Sequence, residues 1–198
     1  MNMFKGRDLL NRIQNKFFIR IGLFVSSSIR SELKIRKLNK NYIKKEIGIG
    51  DELLLKGYAM KHRGLNHYQQ NIFPRLQQKN RFKGFAVLDK IENEIVYLCW
   101  IDFKNITIPE ISHNKILKKN EAYFLDDHCI KKHQRKGLHN AIFNERLLYC
   151  KKIGVKKVFI VIYLNNINAL TNLKKYNFEL TNTFMFYPLI KKITHVMF

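Results

Sequence analysis

The chain has 198 residues, with 37 Lys plus Arg against 15 Asp plus Glu, a formal charge of +22. A hydrophobic fraction of 46%, with 15 Phe and 9 Tyr, supplies a real core and excludes a disordered polyelectrolyte. Only 9 Gly, 3 Pro and 3 Cys occur, which leaves no linker, no CxxC zinc pair and no disulfide framework, so one domain in a reducing, cytoplasmic setting is expected.

The first segment places Leu10, Ile13, Phe17, Ile21 and Phe24 at helical spacing, with Arg7, Arg12, Lys16 and Arg20 among them. The spacing predicts a basic amphipathic helix over 4–25, and residues 1–28 read as a segment distinct from a domain over 29–198. Such a helix suits three partners: an anionic membrane at its inner face, the domain itself, or a second copy in a homodimer. The apolar run Phe17 to Val25 is broken by Arg20 and falls well short of the ~20 residues a membrane span needs. Elsewhere the lysines are spread along the chain instead of forming one block, the pattern of a solvated surface and not of a nucleic-acid interface.

Residues 29–38 alternate loosely and predict an opening strand. Asp51 ahead of Leu53-Leu54-Leu55 predicts a capped helix to about Gly64, and 66–80 predicts a weaker one interrupted at Pro74. Gly84–Asp89 and Glu94–Phe103 predict a hairpin turning at Glu92-Asn93. Tyr97 and Trp100, on its second strand, are candidates to line a cleft. After an irregular stretch containing Pro109 come a strand over Glu121–Ile130, a basic loop over Lys131–Lys136 and a helix from Leu138 to Ile153, stopped by Gly154. Lys157–Leu164 is almost continuously apolar, as in a strand buried on both faces. Asn165 or Asn166 caps a further helix to about Tyr176, Asn177 ends it in a left-handed turn, and Phe178–Lys191 supplies one or two last strands. This order predicts a mixed α/β, or α+β, layer fold.

The segment that carries chemistry is the strand, loop and helix around Gln134–His139. Free N–H groups and the positive dipole end at a helix start favour an anion. Gly137 lets a ligand approach the backbone, and Arg135 and Lys136 add two charges, so a pyrophosphate is the natural occupant. His62, His67 and His113 lack metal-ligand spacing, and no metal is expected.

QRKGLH at 134–139 resembles the main motif of the GNAT superfamily of N-acetyltransferases, Gln/Arg-x-x-Gly-x-Gly/Ala, with Gln134 and Gly137 matching and His139 in place of a small residue. NINALTNLKKYNF at 166–178 is similar to the family's Asn-x-x-Ala/Ser…Tyr-x-x-x-Gly-Phe block through Asn166, Ala169 and Phe178, with Asn177 in place of Gly. The likeness spans about 84–190 and is nearest to bacterial members with a basic N-terminal stretch.

The resemblance implies a central, mostly antiparallel mixed sheet with flanking helices and two splayed strands, here 121–130 and 157–164. It implies an acyl-CoA-dependent N-acyltransferase that uses acetyl-CoA or another acyl-CoA as co-substrate, with no covalent enzyme intermediate. The backbone near Cys129 and Ile130 would pair with the pantetheine amides, and Asn166 belongs to the block that closes the cofactor site. Beside the motif residue Gln134, the N–H groups of Arg135, Lys136, Gly137, Leu138 and His139 would hold the pyrophosphate. Leu173 stands where the family often has a Tyr acid, so Tyr176 is the substitute candidate, and Asp126 and His128 are candidates for the base. The acceptor is an amine of a small molecule or a protein, and the region 51–80 is expected to form its wall. The alternative reading is a non-catalytic binding module of the same fold, holding nucleic acid or an anionic membrane on its basic surface.

Overall fold

The computed structural model describes residues 19–26, 38–187 and 192–197. In chain order these form β1 (Ile19–Ser26), β2 (Tyr42–Ile47), α1 (Glu52–His62), α2 (65–77), β3 (Phe82–Asp89) and β4 (Glu94–Asp102). The short hairpin β5 (Asn105–Ile108) and β6 (His113–Ile116) precedes β7 (Glu121–Cys129), α3 (Leu138–Lys152) and β8 (Lys157–Tyr163). The chain closes with α4 (Ile167–Lys175), β9 (Glu179–Tyr187) and β10 (Lys192–Met197). A central eight-stranded sheet runs β10-β9-β1-β8-β7-β4-β3-β2, with every pairing antiparallel except β7 with β8.

The helix expected over 4–25 is corrected in its last third. Ile19–Ser26 is a strand inside the sheet, paired with β8 on one side and β9 on the other. Ile21, Leu23 and Phe24 are all buried, so two residues of the apolar stripe, Ile21 and Phe24, pack in the domain core. A short apolar run fits either period, and here the space between β8 and β9 decides for the strand. It also attaches part of the 1–28 segment to the domain. Leu10, Ile13 and Phe17 lie outside the described residues, as does the strand expected over 29–38 except for Leu38, which belongs to no element.

Other elements follow their signals. Asn93 turns the β3–β4 hairpin at φ 50, Asn177 follows α4 at φ 56, and Asn166 is the cap, its side chain accepting from the Ala169 N–H at 3.2 Å. Within α2, Leu65–His67 runs through a π turn, Tyr68–Ile72, into Phe73–Gln77. Pro74 cannot donate to the helix ladder, and the wider turn just before it accommodates that gap.

The main core gathers Leu55, Tyr58, Phe85, Trp100, Phe124 and Phe143 from α1, β3, β4, β7 and α3. A second cluster sets Ile106, Ile108 and Ile111 from the β5–β6 region against Ile21, Leu23 and Phe159. Each such buried side chain contributes about 1.5–3 kcal/mol. The hairpin thereby covers the sheet where the sequence predicts only an irregular stretch.

Candidate functional site

β7 and β8 pair only from Glu121↔Lys157 to Phe124↔Ile160. Beyond that point β7 continues beside β4 and β8 continues beside β1, so the two central strands part. Ile130 donates its N–H to Val96 of β4 at 2.9 Å, and strand alternation then turns the main chain of Cys129 and Asp127 to the open side. Asp127 is exposed as a residue although its side chain is only 22% exposed, so its accessible surface is mostly main chain. Ile130, expected on the pantetheine side, has its N–H committed to β4.

The parting opens a cavity of about 910 Å³. It is lined by Arg63 just past α1 and Arg75 of α2, from the strands by Asp126 and Val161, and from α3 and α4 by His139 and Ala169, so it passes between the parted strands.

Beside it lies the loop at 134–137. Gln134, Arg135 and Lys136 are exposed, while Leu138 is buried and anchors the first turn of α3. Arg135 at φ 62 and Gly137 at φ 79 are both left-handed, a curvature that bends successive N–H groups toward one side. Gly137 is the residue ahead of α3, and the Gln134 Nε2 donates to the Cys129 carbonyl at 3.4 Å, tying the loop to the end of β7. A phosphate-bearing nucleotide fits this loop on geometry and charge.

A bulge in β7 sorts the acidic residues. Trp100 pairs with Leu125 and Leu98 with His128, so Asp126 and Asp127 together face Cys99 on β4, with Asp126 at φ 56. The extra residue keeps Asp126 and His128 toward α1 and α2 and sends Asp127 toward α3. Asp126 accepts from Arg63 at 3.2 Å and Arg75 at 2.6 Å and lies 3.5 Å from His67 Nε2. Burial alone would raise its carboxyl, but the His67 contact and the two guanidiniums outweigh burial and hold it well below the usual carboxylate range. A carboxylate so clamped is a poor proton acceptor. His128 is bonded at Nδ1 by the Tyr58 hydroxyl, and it is not among the cavity-lining residues. The pair expected as base is thus brought to one face, but only Asp126 reaches the cavity.

On the other face Asp127 joins a network. Its Oδ1 accepts from the Tyr97 hydroxyl at 2.5 Å and from Arg146 Nη2 at 2.6 Å. Arg146 is fully buried, with its guanidinium 4.3 Å from the Phe124 ring centre and its Nη2 on the Asp127 carboxylate. Tyr97 Oη lies 2.7 Å from His139 Nδ1. The phenol has one proton and gives it to the carboxylate, so it accepts from His139 Nδ1–H, and Nε2 keeps its lone pair. Burial lowers the His139 pKa most, Asp127 raises it and Arg146 lowers it again, so the neutral ring is favoured near pH 7. The His139 ring thus turns inward to Tyr97.

Tyr176 packs on Phe143 with centroids 4.5 Å apart and the rings tilted, burial raises its pKa, and it does not line the cavity. Leu173 is buried core. Burial pushes the Cys129 thiol up to about 11, with Lys136 opposing, which fits a packed residue and not a nucleophile. Among the described residues one group offers metal-ligand spacing, Glu92, Glu94 and His133, and the ammonium groups of Lys61 and Lys132 already sit on its carboxylates. Arg63, Arg75 and Arg146 are site residues that sequence patterning missed. Arg146 had a signal: it lies on the apolar stripe of α3 with Phe143, Leu147 and Cys150, where a charge needs a buried partner.

No protein-family model and no curated protein sequence matches the chain. Solved structures do. A tandem GNAT protein from the clavulanic acid biosynthesis pathway is 9% identical, with a TM-score of 0.60 over 88% of this chain and 55% of that one. A GCN5-related N-acetyltransferase from Sphaerobacter thermophilus is 10% identical, with a TM-score of 0.56 over 89% of this chain and 54% of its own. The chain has the GNAT fold. It spans a little over half the length of these two relatives. AAC(6')-Iy, solved with the bisubstrate analogue CoA-S-monomethyl-acetylneamine, is 8% identical with a TM-score of 0.50, over 70% of this chain and 90% of that one. The GNAT fold agrees with the observed mixed sheet, its parted central strands and its flanking helices. No described helix is long and apolar enough to cross a membrane.

Proposed function

We propose that the chain is an N-acyltransferase that moves an acyl group, acetyl in the first instance, from acyl-CoA to the amine of an acceptor. The observation that carries this reading is the parting of β7 and β8 directly beside the left-handed loop at 135–137. Bound acyl-CoA supplies the acyl group as a thioester. The open main chain at Asp127 and Cys129 suits the pantetheine amides, much as an added strand would pair with a sheet edge. The N–H groups of Arg135 to His139, with the Arg135 and Lys136 side chains, suit the pyrophosphate.

His139 replaces Asp126, His128 and Tyr176 as the acid–base group in this reading. Its Nε2 takes the proton the acceptor amine loses as the N–C bond forms, and returns it to the sulfur as the C–S bond breaks. One proton passes from nitrogen to sulfur and the enzyme ends unchanged. Tyr97 and Asp127 are positioning residues that hold the tautomer. A neutral, oriented imidazole lining the cavity favours turnover over a mere binding module. The three free thiols suit a reducing, cytoplasmic setting.

The test is thiol release from acetyl-CoA by the full chain with a panel of amines, wild type against His139→Gln. A loss of roughly 10²- to 10⁴-fold with unchanged acetyl-CoA affinity is expected. Amine-dependent thiol release that the substitution leaves intact would assign the proton transfer elsewhere.

A further inference from the structure

The cavity wall on the α1 and α2 side is charged in an uneven way. Arg81 is neutralised completely by Asp102, through contacts of 3.2, 3.1 and 2.8 Å, and Asp102 also accepts the N–H groups of Lys104 and Asn105. Asp127 is neutralised by Arg146. That leaves one carboxylate, Asp126, between two guanidiniums, Arg63 and Arg75, a surplus of one positive charge on the wall. His67 is the remaining titratable group against them. Its Nδ1 faces two donors, Arg63 Nη2 at 3.5 Å and Asn71 Nδ2 at 3.4 Å, while Nε2 faces Asp126, so donor counting gives the Nε2–H tautomer and removes no charge.

The two guanidiniums are also held in place. Arg75 lies 5.8 Å from the Trp100 ring centre and 5.9 Å from that of Phe82, and its side chain is 13% exposed. Asp126 uses one nitrogen of each arginine, and none of their other nitrogens is both buried and unpartnered, so the spare N–H groups reach open space. Gln70, Asn71 and Gln78 line the same wall and add neutral donors. A fixed, planar array of donors with surplus positive charge matches a carboxylate, which it can grip through two parallel N–H···O bonds.

We infer that the acceptor taken by this cavity carries a carboxylate besides its amine, gripped by Arg63 and Arg75 while the amine turns toward the parted strands. The clamp on Asp126 then has a second use. It removes the one free anion on this wall that would otherwise attract the ammonium end and seat the acceptor backwards.

The inference rests on the acyltransferase reading, and its test separates the two. Calorimetry of the full chain saturated with desulfo-CoA, titrated with succinate and with 1,4-butanediol, reads the subsite without turnover. Saturable succinate binding, absent for butanediol and weakened about tenfold or more in Arg75→Gln and in Arg63→Gln, is expected. Arg75→Lys, which keeps the charge and loses the fork, guards against a folding artefact and should fall between. Desulfo-CoA binding without succinate binding to the wild type would overturn the inference and leave the acyltransferase reading standing. Failure of desulfo-CoA to bind strikes that reading instead, and succinate titrated into the free chain then decides the subsite alone. With turnover, glycine and glutamate should outperform glycinamide and ethanolamine as acceptors, and equal use of all four would overturn the preference.

Discussion

Nδ1 of His139 and the phenolic oxygen of Tyr97 stand 2.7 Å apart, and the short bond from that phenol to Asp127 fixes which of them donates. Removing the phenol should release the tautomer. Tyr97→Phe is expected to lower kcat and leave the KM for acyl-CoA unchanged, since the ring still fills its buried place. Because burial depresses the His139 pKa, the acidic limb of the wild-type kcat profile should fall below pH 6.5. A limb at or above that value, or a Tyr97→Phe enzyme with unaltered kcat, would remove the relay.

Arg146 is the buried half of its pair with Asp127. Arg146→Met should destabilise the fold by about 3 kcal/mol, the low end for breaking a buried pair, because Asp127 is partly open to solvent. Adding Asp127→Asn removes the stranded charge and should restore part of that loss. Urea unfolding of both variants measures it, and additive losses would contradict the coupling.

Gly22 is the tight point of β1. A Cβ there would stand 2.6 Å from Leu164 Cδ2, 2.7 Å from Phe24 Cε2 and 3.0 Å from Leu180 Cδ1. Gly22→Val should therefore cost about 1–3 kcal/mol by overpacking. Gly57, within α1, has nothing within 4 Å, and Gly57→Ala should stabilise by about 0.5–1 kcal/mol. Melting curves that reverse this order would show that β1 does not occupy the sheet between β8 and β9.

How much of this was legible in the residues follows from the range of each signal. The helix and strand signals from Gly84 onward, the left-handed asparagines and the loop around Gly137 are local, so β3, β4, β7, α3, β8 and α4 could be read. β1 was not legible, because Ile21 and Phe24 fit a helical spacing as well as a strand, and its neighbours β8 and β9 come more than a hundred residues later. β5 and β6 are four residues each, too short for a period to show. In the site, the sequence pointed to the bulge residues but not to their partners. Arg63 and Arg75 convert Asp126 from a candidate base into a clamped anion, and only tertiary packing brings them there.

Burial lowers the pKa of His62, His128, His133 and His139 from 6.5. For each, the unfolded chain binds more protons than the folded one between the folded value and 6.5, so stability rises with pH across that window. The contribution is present above about pH 6.5 and is lost as pH falls through the depressed values. Melting temperature should decline between pH 7.5 and 5.5, before Glu94, held at about 2 mainly by the Lys61 hydrogen bond, begins to titrate. A flat profile over that range would show that these rings are solvated in the native state.

The central claim is that the loop at 135–137 and the parted strands hold acyl-CoA, and calorimetric titration of CoA into wild type and Gly137→Asp tests it most directly. The substitution forces a side chain onto a left-handed position, at φ 79, and sets a negative charge where the pyrophosphate would sit. Saturable one-site binding to the wild type, abolished in a variant that still unfolds cooperatively, is the predicted result. No binding to the wild type, or unchanged affinity in the folded variant, would contradict it.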